Sequence, residues 1–452
     1  MGEHAAPVSA TSLRLIRADP HVVLVLGAGA VLASEYGYRT RPSAAWLLLE
    51  AAFAGLALAE AWRRQERLRL PALIAIGFAF HAAWLALHFA LGVRGDVDSS
   101  LVFRWQGNAI LDGYYPRSEY PAGAVLLFAL EAWLGSGTTR VANALLMVPF
   151  QLLCVACVWL CRTRFSPWFA AVVALWPLNA FSWEFKYDLV PAALLAVGLV
   201  LALRERWSLA GLVLGLGVTV KWTPGFSLLV LAVWLLASRR VRDALILVAA
   251  AAAAIAAVYA PILLWNAGAA AAAYSRQSGR TITPESIWWL LLRPLGFAHF
   301  GKHVAFPAHA PRWADAVAVM VQAGAMASLL GIAIAVRSRP RAGVALAALA
   351  PTVFLLTNRI FSPQFMIVVL VAASVAGVLV VRSAREQLVV GVGLAGACLA
   401  NAFVYPFALP YYWLTWQLAS ATLFVLATGV VVWLVLRMLS QDDGVDVERH
   451  PP

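Results

Sequence analysis

The chain has 452 residues, 62% of them hydrophobic and 12% charged, with a mean hydropathy of +0.80, a composition that excludes a water-soluble globular domain. The formal net charge of +12 comes from positive residues scattered through short turns rather than gathered in a patch, which argues against a nucleic-acid surface and leaves them as topology signals. In a bilayer the backbone must satisfy its own hydrogen bonds, and long apolar runs without period-two alternation do so as transmembrane helices.

In chain order, the first apolar segments, 21–34 and 44–61, predict an extra N-terminal hairpin within a segment 1–70. The first of them follows Arg14 and Arg17 and also fits the apolar core of a cleaved signal peptide, with Ala30-Val-Leu-Ala33 near a cut. Twelve further spans follow near 72–93, 141–160, 166–183, 188–203, 208–222, 224–237, 243–265, 314–336, 342–357, 365–381, 387–405 and 413–436. The expectation is an all-α polytopic bundle of about 12–14 transmembrane helices, with a core 71–265, C-terminal spans 314–440 and a polar tail 441–452.

Arginine-bearing turns recur at Arg63–Arg69, Arg162–Arg164, Arg204–Arg206, Arg239–Arg242, Arg337–Arg341 and Arg382–Arg385. The positive-inside rule places them together in the cytoplasm, although Arg39 and Arg41 then fall on the less favoured side. Two long segments must lie outside. The first, 94–140, runs polar and then moderately apolar, and Pro121–Leu134 reads as an interfacial helix rather than a span. The second, 266–313, holds Arg276, Arg280, Glu285, His299, Lys302, His303 and His309 around Trp288 and Trp289, and loops of this length are usually functional.

Cys154, Cys157 and Cys161 have metal-like spacing but lie in an apolar run without a neighbouring histidine or carboxylate, so they read as packing residues and no metal is expected. The i, i+4 pair His299 and His303 would align on a helix, as an auxiliary acid or base or as simple interfacial side chains. Trp288, Trp289, Tyr411, Tyr412 and Trp413 read as a membrane-anchoring belt.

The chemistry gathers at the outward ends of the helices, with Asp96, Asp98, Glu119, Glu184, Lys186, Asp188, Lys221, Arg276, Arg280, Glu285 and Arg359. All three lysines, Lys186, Lys221 and Lys302, lie there against the positive-inside trend. A cation near membrane depth needs a partner or a wet cavity. Local pairing of Lys186 with Glu184 or Asp188 and snorkelling of Lys221 would be structural explanations; together the set suits a cavity that handles an anion such as a lipid phosphate.

Arg94-Gly-Asp96-Val-Asp98, Glu119-Tyr120-Pro121-Ala-Gly123, Phe185-Lys186-Tyr187-Asp188-Leu-Val-Pro191 and Lys221-Trp-Thr-Pro224 resemble, in that order, membrane glycosyltransferases of the GT-C fold. Ser275-Arg276, Gly279-Arg280 through Glu285-Ser286, and Asn358-Arg359 through Gln364-Phe365 resemble the family-87 branch, which includes polyprenol-phosphate-mannose-dependent mannosyltransferases. The resemblance covers about residues 70 to 380 and implies a GT-C-like bundle whose essential acid, in the first external loop, is Asp96. It implies an inverting transfer of a sugar, mannose by family, from a polyprenyl-phosphate donor to a lipid or glycan acceptor on the outer face of a bacterial plasma membrane, with no cofactor. Asp96 would be the catalytic base. Asp98, Glu119, Tyr120, Lys186, Asp188, Lys221, Arg276, Arg280, Glu285, Arg359 and Gln364 would bind substrate. Ser99-Ser100 and Ala122 stand where relatives carry an aromatic residue and a second proline, a departure that bears on the acceptor. A transporter or flippase of lipid-linked sugars is the alternative; such proteins tend to show internal repeats and midplane charges, and neither is evident here.

Overall fold

The computed structural model describes residues 19–93, 98–135, 139–176, 184–300, 308–408 and 413–440. Asp96, Lys302, His303, Tyr411 and Tyr412 lie outside the described residues. The protein is an all-α polytopic membrane protein. Its helices are α1 (Pro20–Thr40), α2 (Ala44–Arg63), α3 (Leu70–Ala90), α4 (Phe103–Leu111), α5 (Ala122–Gly135), α6 (Thr139–Leu160), α7 (Ser166–Leu175), α8 (Leu189–Leu203) and α9 (Trp207–Val220). They continue with α10 (Thr223–Ala237), α11 (Val241–Ser278), α12 (Ile287–Leu292), α13 (Arg312–Ala335), α14 (Pro340–Thr357), α15 (Met366–Val380), α16 (Ala384–Ala402) and α17 (Trp413–Leu439). A two-residue antiparallel pair, His299–Phe300 with Ala308–His309, precedes α13. Among the described residues ten helical segments are long and apolar enough to cross a membrane alone.

Punctuation of the chain explains these boundaries. Pro20, Pro71, Pro167, Pro224 and Pro340 occupy the first or second helical position, where a missing N–H costs nothing. Ser43 and Ser383 accept the amide hydrogens of Ala45 and Glu386 at the starts of α2 and α16.

The arginine turns meet at one end of the bundle. Arg164 donates to the carbonyl of Arg382, Arg240 pairs with Glu205 at 2.7 Å, and Arg437 pairs with Glu386 at 2.8 Å. Ser238 donates to the Arg337 carbonyl, Arg339 to that of Met438, and the Gln387 amide to Gln65 and the Phe165 carbonyl. The turns after α2, α6, α8, α10, α13 and α15 thus form one connected polar surface. Arg39, which belongs to the opposite end, bonds at 2.6 Å to buried Glu35 one helical turn earlier. Its charge is answered within the bundle.

Small residues bring helices together where lipid gives no hydrophobic drive for association. A Cβ on Gly211 or Gly215 of α9 would lie 2.2 or 2.5 Å from the Leu247 or Ala251 carbonyl oxygen of α11. A Cβ on Gly107 would meet the Phe128 carbonyl at 2.2 Å, which ties α4 against α5. The α5 helix packs on α4, α6, α9 and α11, with Leu126, Leu130, Trp133 and Leu134 left on its exposed side.

Inside α11, Asn266 leaves helical geometry (φ −156°, ψ 84°), and its side chain accepts the Ala269 amide hydrogen at 3.0 Å. Asn266 therefore ends one helix and caps the next, so helix continues to Ser278 through the first part of the expected external segment. Trp289 is fully buried and the Trp288 indole donates to the Thr357 carbonyl at 2.9 Å. The pair is packing, not a membrane belt as the sequence suggested, because the folded segment turns both rings inward.

Candidate functional site

The helices α8, α9 and α10 hold 15, 14 and 15 residues, about 21–23 Å of helix against a hydrocarbon core of ~30 Å. Their ends remote from the arginine turns, at Lys186–Asp188 and Lys221–Thr223, border a recess. A cavity of about 530 Å³ occupies that recess, lined from the turn before α4, the turn before α5, the turns before α8 and α10, the end of α11, the 279–286 loop, and α13, α14 and the turn after it.

Two lysine–carboxylate pairs cross its floor. Lys186 donates to Asp98, and Lys221 to Asp188. Asp188 is 1% exposed and its second oxygen has no partner. The Lys221 ammonium also sits 4.2 Å from the ring centre of Phe365 and 5.3 Å from that of Tyr187, a favourable position over aromatic faces. Pairing across 88 and 33 residues of sequence replaces the local pairing considered for Lys186, since Glu184 turns away into the bundle and bonds His88.

Aromatic rings set the height of this floor. Phe103 stacks on Phe128 at 4.1 Å, and Tyr187 meets both edge-on at 5.7 and 5.3 Å. Tyr120 packs against the same group, and burial pushes its phenol well above the ordinary tyrosine range. The backbone amide of Tyr120 donates to Ser118, which donates to Gln106, while Gln277 donates to the Glu119 carbonyl.

Arginines close the remaining sides. Arg359 donates to the Ser278 carbonyl at 2.9 Å and lies 3.8 Å from Asp315, and Arg280 lies 3.8 Å from Glu119. The 279–286 loop is stitched to the 359–361 turn by Thr283 N–H to the Arg359 carbonyl and by the Thr283 hydroxyl to both backbone groups of Phe361. Glu285 is half-buried here. Removal from water pushes its carboxyl up to about 7, against the lowering effects of its own backbone amide, the Thr283 hydroxyl and Arg280. Val319, Phe354 and Leu355 add an apolar wall from α13 and α14.

The cavity therefore gathers Asp98, Glu119, Tyr120, Lys186, Asp188, Lys221, Arg280, Glu285, Arg359 and Gln364. It does not include Arg276, which is exposed beside it, nor His299, which stands on the strand pair. Asn358, Gln322, Gln277, Trp222 and Tyr274 line it without having been assigned a role from sequence. The last two are stacked at 5.3 Å, and Trp222 stands inside the Lys221-Trp-Thr-Pro224 motif, where a search beyond charged residues would have found it. Among the described residues there is no cluster of metal-ligand type.

Chemically, the cavity offers carboxylates to accept a proton, fixed cations to hold an anion, and aromatic and apolar walls beside them. A family model described as Glycosyltransferase family 87 matches residues 119–363, from the turn before α5 to the turn after α14. Searches of curated proteins and of solved structures returned no match.

Proposed function

The chain belongs to glycosyltransferase family 87, and on that footing we propose that it transfers a sugar, mannose in the first instance, from a polyprenyl phosphate to a lipid or glycan acceptor at the outer face of a bacterial plasma membrane. One observation carries the reading: a single recess joins Asp98 and Asp188 to Lys186, Lys221, Arg280 and Arg359 next to an apolar wall. A lipid-phosphate sugar needs that combination, a cationic place for its phosphate and an apolar exit for its chain. The shared arginine end supports the outward sidedness of this reading, because the positive-inside rule favours that end in the cytoplasm and the recess lies at the other.

In the proposed reaction the acceptor hydroxyl oxygen attacks the anomeric carbon and the bond from that carbon to the phosphate oxygen breaks. The bonding pair leaves with the polyprenyl phosphate, and the configuration inverts. The hydroxyl proton passes to a carboxylate of the first loop, assigned to Asp96, with Asp98 two residues on beside Lys186. A carboxylate suits the role because it accepts the proton and balances charge on an oxocarbenium-like sugar. The ammonium and guanidinium groups stabilise the departing phosphate without a metal.

The test incubates purified protein in proteoliposomes with radiolabelled polyprenyl-phosphate-mannose and a panel of lipid acceptors. Wild type should release polyprenyl phosphate and label an acceptor, and Asp96→Asn should lose turnover by at least about 100-fold. Equal turnover by that variant removes Asp96 from the mechanism. Movement of label across the membrane without transfer would replace the proposed donor chemistry with transport.

A further inference from the structure

A second concentration of buried ionisable groups joins two N-terminal helices to the segment before α8; Glu35 and His88 lie outside the residues matched by the family model and Glu184 lies within them. Glu35 of α1 is 2% exposed, His88 of α3 and Glu184 are fully buried. The His88 ring places Nε2 2.5 Å from Glu35 Oε1 and Nδ1 against Glu184 Oε2. The same Glu35 oxygen accepts from Arg39 Nε at 2.6 Å, and the Trp84 ring lies 5.1 Å from the imidazole. With a carboxylate on each nitrogen the ring has no spare hydrogen-bonding direction. Its tilt and position are fixed from both sides.

Stability does not explain such a cluster. Buried ion pairs in place of apolar packing are neutral or costly, and ionisable groups at membrane depth point to function. What the cluster holds is the segment entering α8. Glu184 is gripped through its side chain by His88 and through its carbonyl by the Asn143 amide at 2.9 Å. Phe185 is buried, and the next residues, Lys186 to Asp188, enter the pocket.

We infer that His88 is a positioning residue of the glycosyltransferase site, and that the Glu35–His88–Glu184 clamp makes α1 a working part of it by fixing where the Lys186 ammonium stands. The inference rests on the reading that Lys186 binds the donor phosphate. The site tolerates little displacement of that cation, since a misplacement of about 1 Å costs on the order of 100-fold in rate and weakens the contact with the phosphate as well.

The test is a double-mutant cycle on the full chain in detergent, reading the Kd of radiolabelled polyprenyl-phosphate-mannose, with no acceptor needed. His88→Gln should weaken binding about tenfold and Lys186→Met at least as much. The double variant should bind within about twofold of Lys186→Met alone, because the clamp acts through that lysine. Glu35→Gln, which keeps the side chain's size, should weaken binding less and show the same non-additivity, so the cycle stands if His88→Gln fails to fold. Losses that multiply, or wild-type affinity in folded His88→Gln and Glu35→Gln, would overturn the clamp and leave the pocket reading intact. Wild-type affinity in Lys186→Met would overturn the pocket reading and the inference with it.

Discussion

The Lys221–Asp188 pair allows stability and function to be separated. Asp188 is 1% exposed, one oxygen bonded to Lys221 and the other unpartnered. Lys221→Met therefore strands a buried carboxylate, a loss of about 3–5 kcal/mol. Asp188→Asn is milder. The ammonium, 17% exposed, keeps the Phe365 and Tyr187 faces, so the loss should stay near the ~1–3 kcal/mol of a broken buried hydrogen bond. In the double variant neither charge remains and the volumes are kept, and replacing a buried pair in this way is close to neutral. It should melt nearer to wild type than Lys221→Met does, while turnover of the proposed donor remains down by on the order of 100-fold because its phosphate has lost a fixed cation. All four cysteines are buried, so a thiol-reactive fluorogenic dye reports unfolding directly. A double variant as unstable as Lys221→Met would refute the stranded-charge argument, and one with wild-type turnover would refute the role of Lys221.

Glu285 gives a pH signature. Its carboxyl is raised to about 7 chiefly by burial, so it is neutral at pH 5.5 and ionised at pH 8.5, where it adds negative charge beside Arg280 and the proposed phosphate position. The donor KM should rise as pH passes upward through about 7, and Glu285→Gln should flatten that rise; an unchanged profile in the variant would assign it elsewhere. Folding shows the same sign, since a raised carboxyl favours the folded state below its unfolded value near 4.5 and loses that contribution as pH climbs toward 7. Two of the arginines in the resemblance, Arg276 and Arg359, should also part company. Arg276→Ala, exposed and off the cavity, should keep kcat/KM within about twofold, whereas Arg359→Ala, which also releases the Ser278 carbonyl and Asp315, should lower it about 10- to 100-fold in the same assay. Equal effects would mean that the cavity outline does not define the donor site.

The helices were legible because the bilayer leaves an apolar run few choices, and each arginine turn closes one where sequence places it. The shared end of those turns was legible for the same reason, and Arg164 on Arg382 or Arg240 on Glu205 is its physical expression. Residues entering the cavity could be named from charge at the opposite helix ends. Arg276 and His299 could not be sorted from Arg280 in that way, because position in a loop carries no direction until the 279–286 stretch is tied to 359–361 through Thr283.

Partnership was decided only by tertiary structure. Nothing local distinguishes Asp98 from Glu184 as the partner of Lys186, because the choice depends on how α3, α6 and α8 pack and which way the Glu184 side chain faces. His88 lies inside a run that composition reads as a plain span and Glu35 just past the end of another, and they become a clamp only when α1 lies against α3. The sequence by itself determined what must be in the membrane and at which end charge is gathered, since transfer free energy is additive along the chain. The fold alone determined which charge answers which, since Coulomb and hydrogen-bond energies depend on distances that only packing sets.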